Sequence, residues 1–124
     1  MLKLTDTSLL RDSLYIGGEW VAPADAERLT VTNPANGESV ATVAQAGRRE
    51  AVDAIQAAEK AFPAWAALPA RERSAKLDAW HDLIVQNVED LARILTAEQG
   101  KPLAEARGEI LYGAAFFEWF AEEG

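Results

Sequence analysis

Near residue 46 the hydrophobic pattern of this 124-residue chain changes period, and that change limits the folds open to it. Upstream, short alternating segments rich in β-branched residues are broken by Gly, Pro and Asn; downstream, alanine-rich stretches repeat apolar residues every three to four positions. Alternation of period two makes half-buried strands, whereas a period near 3.6 makes amphipathic helices. The expected layout is residues 1–46 as two β-hairpins and residues 47–124 as about four helices, in one small domain.

In the first part, Leu14-Tyr15-Ile16 and Glu19-Trp20-Val21 read as strands joined at Gly17-Gly18. A second hairpin pairs Leu29–Thr32 with Ser39–Val43 around the turn Asn33-Pro34-Ala35-Asn36-Gly37. Four short strands with no strand–helix–strand unit cannot form a parallel nucleotide-binding sheet alone. Downstream, Arg48–Phe62 carries Val52, Ile55, Ala58 and Phe62 at helical spacing and is expected to end at Pro63. Pro69 opens a second helix striped by Leu77, Trp80, Leu83 and Ile84. Asn87, with Asp90 three positions on, is placed to cap a third helix, Val88–Ala97, and Gly100 suits its C-terminal cap. Pro102 then starts a last helix with Leu103, Ala106, Ile110, Ala114, Phe117 and Phe120 along one side.

Apolar residues at 49% and charged residues at 26% give the balance of a folded, soluble chain rather than a disordered one. Cysteine is absent, which excludes disulfides, thiolate metal sites and a cysteine nucleophile within these residues. Histidine occurs once, so multi-histidine metal sites are excluded and a Ser-His-Asp triad is disfavoured. A net charge of −8 argues against a nucleic-acid partner, which would need a basic patch. No apolar run approaches the length of a membrane span, and Met1–Leu10 lacks the apolar stretch of a secretory signal, so the expected compartment is cytoplasmic.

Few side chains suggest chemistry. His81 has no second histidine or fixed orienting group beside it, and a partly exposed helical histidine is expected rather than a general base. Glu89-Asp90 and Glu122-Glu123 are adjacent in sequence, hence about 100° apart on a helix, and are expected to form solvated faces. Lys101, between Gly100 and Pro102, is expected to remain in water beside helix-end carbonyls rather than bind an anion. The glycine-rich phosphate loops and the nucleophile elbow are missing. Phe116, Phe117, Trp119 and Phe120 are more informative, because four rings in five positions cannot all face one core. Part of that surface needs another domain, a subunit or a channel to cover it.

Three motifs in order are specific where each alone is common: Ile16-Gly17-Gly18-Glu19-Trp20-Val21, Asn33-Pro34-Ala35-Asn36-Gly37-Glu38, and Glu98-Gln99-Gly100-Lys101-Pro102. With them the chain resembles the N-terminal quarter of the NAD(P)-dependent aldehyde dehydrogenase superfamily, an α/β fold. The stretch from Glu98 through Ile110, and again Phe117 to Gly124, is similar to the succinate-semialdehyde dehydrogenase branch. The resemblance implies an incomplete part of the cofactor-binding domain of an enzyme oxidising succinate semialdehyde to succinate with NADP or NAD. In the family, a thiolate attacks the aldehyde, hydride passes to the nicotinamide and the thioester is hydrolysed. The cysteine, general-base glutamate, oxyanion-hole asparagine and nucleotide loop all lie downstream of this segment, as do the arginines that hold the distal carboxylate. The 124 residues alone are therefore expected to be inactive.

The resemblance also implies two contributions to a parent site. Gly108, Leu111 and Tyr112 would border the aldehyde channel, or else pack on the catalytic domain. Val31, Thr32 and Glu98 would supply oxygens to a monovalent cation, although a carboxylate near a helix C-terminus is commonly just solvated. Expected partners are the remainder of the dehydrogenase chain, further subunits of a dimer or tetramer and a small aldehyde, with no membrane or nucleic acid. The alternative is a free-standing, non-catalytic module that packs on or regulates a full-length dehydrogenase.

Overall fold

The computed structural model describes residues 2–22 and 27–124. After a short 3₁₀ turn at Thr7–Leu9, the first hairpin joins β1 (Leu14–Ile16) to β2 (Glu19–Val21), pairing Tyr15 with Trp20. Both turn residues have positive φ, +63° at Gly17 and +89° at Gly18, which is why two glycines stand there. The second hairpin joins β3 (Arg28–Thr32) to β4 (Ser39–Ala44), one residue longer on each strand than the sequence pattern indicated, with a bulge between Val31 and Thr32. Its turn is built by asparagine side chains. Asn33 Oδ1 accepts the Ala35 amide at 2.9 Å and Asn36 Oδ1 accepts the Glu38 amide at 3.0 Å.

Four helices follow: α1 (Arg48–Ala67), α2 (Ala70–Gln86), α3 (Val88–Gln99) and α4 (Leu103–Glu123). Helix α1 does not stop at Pro63. A proline inside a helix removes one backbone donor and crowds the preceding turn, but three of the next four residues, Ala64, Ala66 and Ala67, are strong helix formers and α1 runs on to Ala67. The break comes before Pro69 instead, where Leu68 takes the extended conformation (ψ 141°) that a following proline favours.

Asn87 separates α2 from α3 but does not cap α3 with its side chain. Its amide nitrogen donates to the Leu83 carbonyl at 2.8 Å and so closes α2. At the other end of α3, Gly100 adopts φ +84° and caps it as expected.

Helix α4 is the centre of the helical layer, packed along both α2 and α3. Its inward face is Ala106, Ile110, Ala114, Phe117 and Ala121. Phe120, expected on that side, is 59% exposed, because at 100° per residue the seam passes from Phe117 to Ala121. Trp80 of α2 reaches the seam, its ring 4.6 Å from that of Phe117.

The core is made of small residues: Ala44, Ala92, Ala106, Ala114 and Ala121 are buried, and no large side chain is fully buried among the described residues. The accessible surface is 8927 Å², about 2,400 Å² above the roughly 6,500 Å² of a compact monomer of this 13.5 kDa mass. Hydrophobic patterning here creates more apolar face than these elements cover for one another. No helix among the described residues is long and apolar enough to cross a membrane.

Candidate functional site

Exposed apolar side chains occur on the hairpins and on α1, α2 and α4, and on α4 they lie next to one another. Counting 100° per residue, Gly108, Leu111 and Tyr112 lie on the side turned away from the alanine seam. All three are exposed, Tyr112 at 68%. A Cβ built on Gly108 meets nothing within 4 Å, so packing among the described residues gives no reason for a glycine there. Tyr112 stands edge-on to Phe116, their ring centroids 5.1 Å apart. Together with Ala115, Trp119 and Phe120 they line a shallow apolar groove. The aromatic cluster thus divides in two: Phe117 packs inward, while Phe116, Trp119 and Phe120 face out.

The other trio sits where α3 meets the second hairpin. Helix α3 packs on β3, and the β-bulge falls at Val31 and Thr32, where pairing of backbone groups is interrupted. Glu98 is exposed near the end of α3. Among the described residues no group of three or more acidic or histidine side chains converges to hold a metal ion. Two of the sequence motifs meet beside this place, since a Cβ on Gly100 would lie 2.8 Å from Cγ of Pro34. Glycine is needed there for its positive φ and for the approach of the Asn33–Gly37 turn.

Two charged groups, Asp90 and Lys101, behave differently from what the sequence pattern indicated, whereas Glu89 is exposed as expected. Asp90 is not on a solvated face but buried, with 4% exposure. Its Oδ2 accepts the backbone amides of Thr5 at 2.8 Å and Asp6 at 2.7 Å, and Arg93 lies 3.3 Å from Oδ1. Those amide donors, Asp6 foremost and then Thr5, hold the Asp90 carboxyl below the usual carboxylate range against the opposing effect of burial. The partners lie 84 and 85 residues away in sequence, which no local pattern reveals. Glu89 grips Arg107 through two hydrogen bonds of 2.5 and 2.8 Å, which lower its pKa and raise that of Arg107. Lys101 is half-buried and paired with Glu109 rather than left in water. His81 is partly exposed as expected, with Nδ1 3.1 Å from Asp82 Oδ1 and no further side chain orienting it among the described residues.

None of these groups forms a nucleophile–base pair. The strands make two separate antiparallel pairs, so no parallel strand-to-helix turn is present among the described residues to cradle a dinucleotide. What the segment offers is an apolar helix face, a bulged strand packed against α3 and a buried latch on its N-terminal residues.

Residues 20–124 match the model of the aldehyde dehydrogenase family. The chain is 55% identical over 122 residues to the glutarate-semialdehyde dehydrogenase of Pseudomonas putida, covering 98% of this chain and 25% of that one. It is 51% identical over 123 residues to the NADP(+) succinate-semialdehyde dehydrogenase of Escherichia coli, covering 99% of this chain and 26% of the relative. The crystal structure of succinate-semialdehyde dehydrogenase from Burkholderia pseudomallei superposes with a TM-score of 0.93 at 53% identity, over 97% of this chain and 25% of that one. The chain therefore spans about a quarter of the length of the relatives it matches. Its two antiparallel strand pairs and four helices are the N-terminal part of a known fold, and the chain belongs to the aldehyde dehydrogenase family.

Proposed function

We propose that this chain is the N-terminal segment of an oligomeric, NAD(P)-dependent semialdehyde dehydrogenase that oxidises succinate semialdehyde to succinate, with NADP preferred over NAD. The observation that carries the reading is identity of 51–55% across 98–99% of the chain to enzymes named for succinate and glutarate semialdehydes. Both substrates join an aldehyde to a distal carboxylate. In each of these relatives the matched segment is one quarter of a longer chain, which favours an enzyme segment over a free-standing module.

Residues 1–46 and 47–124 are then the hairpin and helical parts of an incomplete cofactor-binding domain. Its side chains do not by themselves fit a nicotinamide dinucleotide, since the described strands are only antiparallel pairs, and no chemical step is assigned to them. Gly108, Leu111 and Tyr112 border the aldehyde channel; their exposure and the open space around Gly108 support this.

Val31 and Thr32 offer backbone carbonyls, and Glu98 a carboxylate, to a monovalent cation. Support comes from the bulge at Val31/Thr32 and from the exposed carboxylate on the helix that packs on β3. The whole reading is tested by extending the encoding DNA sequence past the codon for Gly124. A frame continuing into a nucleotide-binding segment and a cysteine-bearing segment is the expected result; a stop codon contradicts it.

A further inference from the structure

The N-terminal residues cross from α3 to the second hairpin and are pinned on both sides. On α3, Asp90 Oδ2 accepts the amides of Thr5 and Asp6, and Arg93 donates to the Lys3 carbonyl at 3.3 Å. On the hairpin, the Asp12 carbonyl accepts the Ala44 amide at 2.8 Å, and the Asp12 carboxylate lies 3.1 Å from Nη2 of Arg28. Between the pins, Leu2, Leu4 and Leu10 line an open cleft whose other walls include Ala97 of α3 and Ser39 and Val40 of β4. Two of those wall residues adjoin the cation trio: Ser39 pairs with Thr32 at the bulge, and Ala97 precedes Glu98. Strand β3 itself packs only lightly on α3. About 670 Å³ of the cleft stays open, so the leucines do not fill the seam and the hydrogen-bonded pins are what hold this segment down.

We infer that residues 2–12 form a strap that positions the second hairpin on α3, that Asp90 is its latch, and that the strap thereby sets how the Val31 and Thr32 carbonyls stand relative to Glu98. The effect on the trio rests on the cation reading proposed for it; the strap does not. A buried carboxylate has to find donors, and Asp90 finds two backbone amides in a segment whose only regular structure is a single 3₁₀ turn. Hydrogen bonds to an ionised acceptor are about twice as strong as neutral ones, which suits a latch on a short segment. Asp90 acts through the strap and is a positioning residue. Its neighbour Glu89 is engaged by Arg107 of α4 instead and gives a control on the same helix.

The test uses the complete dehydrogenase, with hydrogen exchange read by mass spectrometry and the rate of semialdehyde oxidation followed against potassium chloride, choline chloride holding the ionic strength. Asp90→Asn should speed exchange about tenfold in peptides covering residues 2–12 and, together with them, in peptides covering residues 28–44. The potassium concentration giving half of the full stimulation should rise about fivefold, with the rate at saturating potassium unchanged. Glu89→Gln should move neither quantity. Removal of residues 2–6 takes away the two amides without altering α3, and it should reproduce both effects if Asp90→Asn does not fold. Unchanged exchange in the strap, or a loosened strap beside an unchanged hairpin, would overturn the inference. So would a loosened hairpin that leaves the potassium dependence where it was. An unaltered enzyme indifferent to potassium and sodium would sink the cation reading alone, and a joint loss of protection in strap and hairpin would then still uphold the strap.

Discussion

Replacing Gly100 by alanine would do two separable things. It would hold an L-residue at φ +84°, and it would set a Cβ 2.8 Å from Cγ of Pro34. The left-handed conformation costs about 1–2 kcal/mol. The contact adds about 1–3 kcal/mol, the usual range for forcing a methyl group into occupied space, because a pyrrolidine ring cannot rotate aside. Gly37→Ala is the control: its φ is +73°, but nothing lies within 4 Å of the added Cβ, so only the backbone cost applies. The double variant Gly100→Ala/Pro34→Ala removes the clashing ring and should recover the steric part as a coupling energy. Urea unfolding followed by circular dichroism gives all the required differences. If Gly100→Ala and Gly37→Ala agree within about 0.5 kcal/mol, or the cycle shows no coupling, the two motifs do not press on each other as described.

Gly108→Ala should stabilise the isolated chain by about 0.5–1 kcal/mol, since a helix-interior glycine is disfavoured and the new methyl has open space; in the complete enzyme it should lower kcat/KM for a semialdehyde, and thermal melts with steady-state rates check both. Asp90 has a folded-state pKa below its unfolded value, so its contribution to stability is complete above the ordinary carboxylate range and lost as pH falls through the folded value. Asp90→Asn should therefore lower the melting temperature near neutral pH and flatten its fall in acid, measured as melting temperature against pH. In the complete enzyme, Glu98→Gln should abolish any stimulation of the rate by potassium or sodium while leaving the fold intact, as judged by titration with each chloride salt against a choline control.

The elements were legible where local chemistry dominates. Gly17-Gly18 and the Asn33–Gly37 turn place both hairpins, and Gly100 ends α3, because each position demands a conformation that few residues adopt. Pro63 misleads since a lone proline inside alanine-rich sequence costs less than ending the helix, while the Leu68-Pro69 step does end it. Asp90 misleads because a buried carboxylate serving backbone amides more than 80 residues away looks, in sequence, like half of an acidic surface pair. Of the candidate site, the outward aromatics of α4 were foreseeable from four rings crowded into five positions. The bulge at Val31/Thr32 is a detail of β3–β4 register that alternation does not encode, and the approach of Pro34 to Gly100 arises only where the hairpin turn meets the end of α3.

Whether these residues serve a semialdehyde dehydrogenase is decided by the initial rate of nicotinamide reduction by the complete polypeptide bearing residues 1–124, with succinate semialdehyde and either NADP or NAD. Turnover with succinate semialdehyde is expected, faster with NADP, and none from the 124 residues alone. A folded, complete polypeptide that reduces neither cofactor with this aldehyde would contradict it.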